Sequence, residues 1–244
     1  MITAPVTTIN PYWDEMRSLL ERNQAVEPAD CSFDESPRSL MTSARRLLRE
    51  VSTWDERERC CRQYCWAVPD PASCAFVAQW LSLRAVEIGA GTGYWAWQIA
   101  QMGVDIVAYD EAPPDQAATN HWHSPRDAED RFIGELRACY FPLQVGGPEQ
   151  LTDHADRALF LCWPPFDSPI LIKRQTMASA CLTAYRGRRL VYIGEGQGGC
   201  TGDDTFFEDL GNNWVEVAQH RPVQWVGIHD WIRVYERRQR KGRK

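Results

Sequence analysis

One segment of the 244-residue chain constrains its fold more than any other. The short apolar run Ala85-Val86-Glu87-Ile88 passes without interruption into Gly89-Ala90-Gly91-Thr92-Gly93, and residues from Tyr94 to about Met102 then have helical character. A strand that turns into a helix within five residues needs backbone angles that glycine adopts without strain. Glycines also let a ligand approach the main chain closely. A second strand over residues 104–109 ends at Asp110, 17 residues after Gly93. An acid in that place can accept two hydrogen bonds from a ribose diol. The spacing Gly-x-Gly-x-Gly differs from the Gly-x-Gly-x-x-Gly of dinucleotide binders, which argues against NAD.

Downstream, the pattern keeps alternating. Strands are expected at 141–145, 158–162 and 189–194, with helices at 177–185 and 203–210. Residues 214–220 and 231–236 then read as two strands joined by a loop. Strand–helix alternation predicts a doubly wound, mostly parallel sheet with helices on both faces, and the final pair adds an antiparallel strand at its edge. Residues 1–80 contain no strand pattern. Apolar spacing of three and four predicts helices at 11–22 and 39–51, and Asp70-Pro71 opens another as N-cap and first-turn proline. The chain divides into a helical N-terminal lid or extension (1–80), a Rossmann-like domain (81–236) and a basic tail (237–244).

Composition limits the function classes. Hydrophobic residues at 44% and charged residues at 25% suit a globular fold. No apolar run approaches the roughly 20 residues of a membrane span. Without a visible secretory signal, the expected location is the cytoplasm. The tail holds six of the basic residues, so the body carries 21 basic against 33 acidic groups and repels phosphate backbones. A nucleic-acid partner is therefore not expected, nor is a membrane. The nine cysteines are odd in number and lack metal-ligand spacing, so they are expected as reduced thiols, with no metal site. Eleven tryptophans include several beside turn residues, and some of them are expected to line an aromatic pocket suited to a cationic or flat ligand.

Across residues 84–236 the sequence resembles the class I S-adenosylmethionine-dependent methyltransferases. The resemblance rests on Val86-Glu-Ile-Gly-Ala-Gly-Thr-Gly93, Val107-Ala-Tyr-Asp110 and Leu161-Cys-Trp-Pro-Pro-Phe166. Tyr64-Cys-Trp-Ala-Val-Pro69, Asn120-His-Trp-His123 and the glycine-rich stretch 194–203 look like a largely uncharacterised microbial subgroup. The resemblance implies a seven-stranded Rossmann-like methyltransferase fold and S-adenosyl-L-methionine as cofactor. It implies that Gly89, Gly91 and Gly93 pack near the cofactor's amino-acid part, that Asp110 binds its ribose, and that Glu87 orients the loop and the amino group. The sequence departs from the family at two places. Methylases of exocyclic amines in nucleic acids carry Asp, Asn or Ser before Pro-Pro-aromatic, but here Trp163 stands there and offers no acceptor. Gly146-Gly147 stands where the family often has an acid for the adenine amino group, a role left to Glu149 or a main-chain carbonyl.

In doubly wound sheets, ligands sit beyond the carboxyl ends of the strands. There, Glu195, His123 and Trp163 are the candidate catalytic residues, and Tyr94 and Trp163 join the candidate cofactor contacts. His121, Asp203 and His229 are further candidate bases. For each, the alternative is an ordinary loop-ordering role. The leading expectation is methyl transfer to a small molecule of secondary metabolism. A cyclase or lyase releasing methylthioadenosine would use the same loop, and a non-catalytic binding module is the third reading. The sequence leaves the oligomeric state open.

Overall fold

The structure is a computed structural model that describes residues 8–22, 26–27, 53–124, 131–166 and 176–239. In chain order its elements are α1 (Pro11–Glu21), β1 (Val26–Glu27), α2 (residues 53–63), α3 (Pro71–Leu81), β2 (Arg84–Ile88), α4 (Tyr94–Gln101), β3 (Asp105–Asp110) and β4 (Gln144–Val145). A 3-10 turn (Pro148–Asp153) leads to β5 (Ala158–Cys162), α5 (Met177–Ala184), β6 (Arg189–Gly194), α6 (Asp204–Asn213), β7 (Trp214–His220), β8 (Gln224–Trp225) and β9 (Trp231–Arg237). The expected helix at 39–51 lies outside the described residues, as do positions 240–244 of the tail.

Seven strands form one sheet in the order β4-β3-β2-β5-β6-β9-β7. The pairs β4–β3, β3–β2, β2–β5 and β5–β6 are parallel, whereas β9 runs antiparallel to both β6 and β7. This is the expected doubly wound, mostly parallel seven-stranded Rossmann-like sheet, with the order reversing between β2 and β5. Period-two alternation along the central strands divides the core. Ala85, Phe160, Val191 and Ile193 face α1, α3 and α4, while Val86, Ile88, Leu159, Leu161 and Leu190 face α5 and α6. Among the described residues no helix is long and apolar enough to cross a membrane.

Three boundaries differ from expectation. The strand at 141–145 shrinks to Gln144–Val145, because Phe141 and Leu143 turn inward against Gly93 and Pro142 has no N–H for a ladder. A two-residue strand, β1, pairs antiparallel with β8 where none was expected. Arg237 belongs to β9 rather than to the tail, and its guanidinium lies 4.3 Å from the Trp214 ring centroid.

The described N-terminal residues share the core of the sheet. Tyr12, Met16, Cys60 and Tyr64 are buried in one cluster with Ala85, Trp95 and Val191. The Tyr94 hydroxyl accepts from the Tyr12 amide at 2.9 Å and donates to Asn10 Oδ1 at 2.9 Å, tying α1 to α4. Asp70 caps α3 as expected, its Oδ1 accepting from the Ala72 and Ser73 amides at 3.0 Å each. Its other oxygen accepts from the Val223 amide at 3.1 Å, 153 residues away. One buried carboxylate thus starts a helix and fixes the connection into β8. Asp70→Ala leaves the Ser73 and Val223 amides buried without acceptors, so a loss of about 2–4 kcal/mol of unfolding free energy is expected in urea denaturation. A loss below about 0.5 kcal/mol would contradict this role.

Candidate functional site

The glycine loop is built by β3 as much as by β2. Gly89, Gly91 and Gly93 all adopt left-handed angles, with φ of 74°, 58° and 72°. The Tyr109 carbonyl accepts from the Gly89 and Ala90 amides at 2.9 and 3.0 Å. Asp110 continues the clamp: its Oδ2 accepts from the Gly91 amide at 2.8 Å and its Oδ1 from the Ala112 amide at 2.9 Å. Gly93 N–H then donates to the Ala90 carbonyl at 2.8 Å. Four of the five loop amides are therefore satisfied inside the protein. Such a loop presents bare glycine main chain and carboxylate, not a nest of free N–H groups, so it is a poor cradle for a pyrophosphate.

Glu87 lies behind this loop, buried at 2% exposure. Burial, reinforced by the charge of Asp110, pushes its carboxyl up to about 8, against an opposing hydrogen bond from the Ala96 amide. Its Oε2 is buried with no hydrogen-bond partner. Burial also raises Asp110, while the two amides it accepts from work the other way. Two carboxyl groups side by side, one lacking a partner, favour a ligand that brings hydroxyl or ammonium donors.

His123 closes over the loop. A Cβ on Gly91 would lie 2.5 Å from its Nε2, so only glycine fits beneath the imidazole. Asn120 sets the approach, its Oδ1 accepting from the Trp122 and His123 amides at 3.0 and 2.9 Å while its Nδ2 donates to the Ala112 carbonyl at 2.8 Å. His123 Nδ1 faces the Arg62 carbonyl of α2 at 3.2 Å. A carbonyl only accepts, so Nδ1 carries the proton and Nε2 presents its lone pair toward the loop. Burial pushes the imidazole down to about 4, so it is neutral at physiological pH. A Gly91→Val change would displace His123 as well as block the loop.

The other half of the crevice lies beyond β5 and β6. Trp163 follows β5 with φ of 50°, a strained angle for a non-glycine residue, and its Nε1 donates to Asp230 Oδ1 at 2.8 Å. Burial pushes the Asp230 carboxyl up to about 7, opposed by that hydrogen bond. Glu195 follows β6 and uses both oxygens on main chain: Oε2 accepts from Cys200 at 2.8 Å and Oε1 from His229 at 3.0 Å. Burial works to raise it, but these amides prevail and hold it below the usual carboxylate range. Glu195 thereby ties the glycine-rich turn after β6 to the segment before β9.

Trp66 stacks on Trp163 with centroids 5.3 Å apart and meets Trp122 edge-on at 5.6 Å. Sequence reasoning missed the group at the centre of this cluster. The Arg57 guanidinium lies 5.3 Å from the Trp54 ring centroid and 5.4 Å from those of Trp66 and Trp163. The cation facing these aromatics is the chain's own. Tyr94, expected at the cofactor, spends its hydroxyl on α1 as described above. Asp203 caps α6 and accepts from Thr176 and Ser179. Glu15, Glu56 and Cys60 form the one cluster of metal-compatible geometry among the described residues, and Arg59 Nη2 bridges its two carboxylates at 2.5 and 2.8 Å.

Because Glu87 keeps its proton when folded over a range in which an exposed carboxyl (4.5) has lost it, stability falls as pH rises from about 4.5 toward 8. Glu87→Gln removes this penalty. The variant's melting temperature is expected to gain on that of the wild type steadily across this window and to level off above it. A constant offset from pH about 5 to about 9 would contradict the assignment.

No family model matches the sequence, and no curated relative does. Several solved methyltransferases are similar to the chain at low identity. A 1,6-didemethyltoxoflavin N1-methyltransferase of Burkholderia thailandensis, with its substrate and S-adenosylhomocysteine bound, is 18% identical, covering 88% of this chain and 96% of that one at a TM-score of 0.46. A SAM-dependent methyltransferase of Anabaena variabilis is 11% identical over 77% and 94%, with a TM-score of 0.44. A magnesium protoporphyrin IX methyltransferase of Synechocystis with bound SAM is 14% identical over 68% and 79%, with a TM-score of 0.40.

Proposed function

We propose that the protein binds S-adenosylmethionine in the crevice over the glycine loop and transfers its methyl group to a small-molecule acceptor of secondary metabolism. The observation that carries this reading is the state of the loop. Its Gly89, Ala90, Gly91 and Gly93 amides are already bonded, while two carboxyl groups flank it and Glu87 Oε2 lacks a partner. A ligand with a diol and an ammonium but no phosphate suits that donor and acceptor set.

In this reading the amino-acid part lies along the main chain of Gly89, Gly91 and Gly93, beside the Met177 and His123 side chains that pack on it. Asp110 receives the ribose hydroxyls on the lone pairs that its two amide bonds leave free. Glu87 orients the ammonium and gives up its proton as it does so. When bound, the cofactor supplies a methyl group on a positively charged sulfur, an electrophile that needs positioning and exclusion of water more than activation. His123 Nε2, unprotonated and facing Gly91, is the candidate to take a proton from the acceptor where one must be lost. Trp163 walls the acceptor side, and Glu195 holds the turn after β6 in place as a positioning residue. The acidic body and the absence of an acceptor atom at Trp163 speak for a small molecule over a nucleic acid.

Asp110→Ala is expected to weaken S-adenosylmethionine binding about tenfold or more in calorimetry, roughly 1.4 kcal/mol, with the circular dichroism spectrum retained. Wild-type affinity in a folded variant would remove Asp110 from the site. Incubation with methyl-labelled cofactor and candidate acceptors then tests turnover. S-adenosylhomocysteine is the expected product, and methylthioadenosine in its place would overturn methyl transfer.

A further inference from the structure

Arg57 is a buried cation that makes no ion pair among the described residues. It is 6% exposed, and its Nε lies buried with no hydrogen-bond partner. Among the described residues no carboxylate lies within ion-pair distance of it. Asp230 feels its charge, but the hydrogen bond of the Asp230 carboxyl goes to Trp163. Three indole faces surround the guanidinium, yet ring faces do not satisfy N–H donors. A buried unsatisfied donor on a charged group is costly, and Nε of Arg57 is one.

Its place in the fold suggests the partner. Trp163 follows β5, Glu195 follows β6, and Asp230 precedes β9, whose Trp231 pairs with Gly194. All three lie at the carboxyl end of the parallel strands, across the switch point from the glycine loop. The helix that carries Arg57 also supplies the Arg62 carbonyl that fixes His123. Arg57 thus belongs to the acceptor half of the crevice. A guanidinium is a planar fork that matches a carboxylate with two parallel hydrogen bonds. Around it, Trp54 and Trp122 remain 53% and 51% exposed, open aromatic surfaces beside a buried charge. Flat rings stack on such surfaces.

We propose that Arg57 is the specificity-determining residue of the acceptor site, and that the acceptor is a planar aromatic carboxylate whose carboxyl group pairs with the Arg57 guanidinium while its ring lies among the tryptophans. This rests on the glycine loop being the cofactor half of the same crevice. The two-sided charge layout agrees with it: carboxyl groups meet the cationic cofactor, and a cation meets the anionic acceptor.

Benzoate and its neutral counterpart benzamide are suitable probes, read on the full chain by ligand-observed NMR and tryptophan fluorescence up to millimolar concentrations. The wild type is expected to bind benzoate at least about tenfold more tightly than benzamide. Arg57→Met should abolish that preference, and Arg57→Lys, which keeps the charge without the fork, should reduce it several-fold. Equal binding of both probes by the wild type, binding of neither, or an undiminished preference in a folded Arg57 variant would overturn the proposal. Should the Met variant not fold, the wild-type preference and the Lys variant decide. Calorimetry with S-adenosylhomocysteine on the same wild-type sample reads the cofactor half separately. Failure there refutes the methyltransferase reading, whereas failure of benzoate with S-adenosylhomocysteine bound refutes the acceptor assignment alone.

Discussion

The clamp between Asp110 and the glycine loop is the interaction on which the rest of the site depends. The carboxylate at the end of β3 accepts from Gly91 and Ala112, joining the turn after β2 to the turn after β3. Without it Gly91 would lose the acceptor that holds its left-handed angle, and glycine has the most conformational freedom to recover on release. The segment starting at Ala112 is in turn what Asn120 grips to bring His123 over Gly91. One half-buried acid therefore sets the loop, the cover over the loop, and the electronegative character of the crevice between them.

Charge is distributed across the crevice with a clear division. The β2–β3 side holds Glu87 and Asp110, both raised by burial, and a neutral histidine. The β5–β6 side holds a guanidinium among indoles, with Asp230 tied to Trp163 and Glu195 committed to main chain. Burying this many titratable groups lowers stability unless each finds a partner. Most of these do; among the described residues of the crevice Glu87 Oε2 and Arg57 Nε do not, and they lie on opposite sides. Unsatisfied groups at a crevice are where a ligand gains most by binding, and their opposite charge preferences suit two different ligands.

Much of this was legible in the sequence, for a physical reason. A strand, a glycine-rich turn and a helix are local in the chain, so Glu87, Gly89, Gly91, Gly93 and Asp110 announce their arrangement through spacing alone, and the alternation of strands with helices announces the sheet. Asp70-Pro71 is equally local and starts α3 as expected. What stayed hidden is non-local. Arg57 meets Trp163 across more than a hundred residues, and nothing in its neighbourhood distinguishes it from Arg59 or Arg62, which pair with half-buried glutamates of the same helix. Some tryptophans were expected to line a pocket for a cationic or flat ligand, but periodicity does not reveal that α2 brings a cation of its own to Trp66 and Trp163. Likewise Tyr94 opens α4 at the loop, yet its hydroxyl turns to Asn10 and Tyr12, partners that only tertiary packing brings near.

The account stands on the claim that the surface of the glycine loop is where an adenosyl cofactor lies. Amide chemical shifts in the isotopically labelled protein, followed as S-adenosylhomocysteine is added, test it most directly. The account predicts saturable shifts concentrated at Gly89, Gly91, Gly93 and Ala112, with the side-chain signals of His123 moving in step. Saturable binding that leaves those amides unmoved and shifts another part of the sheet would contradict it.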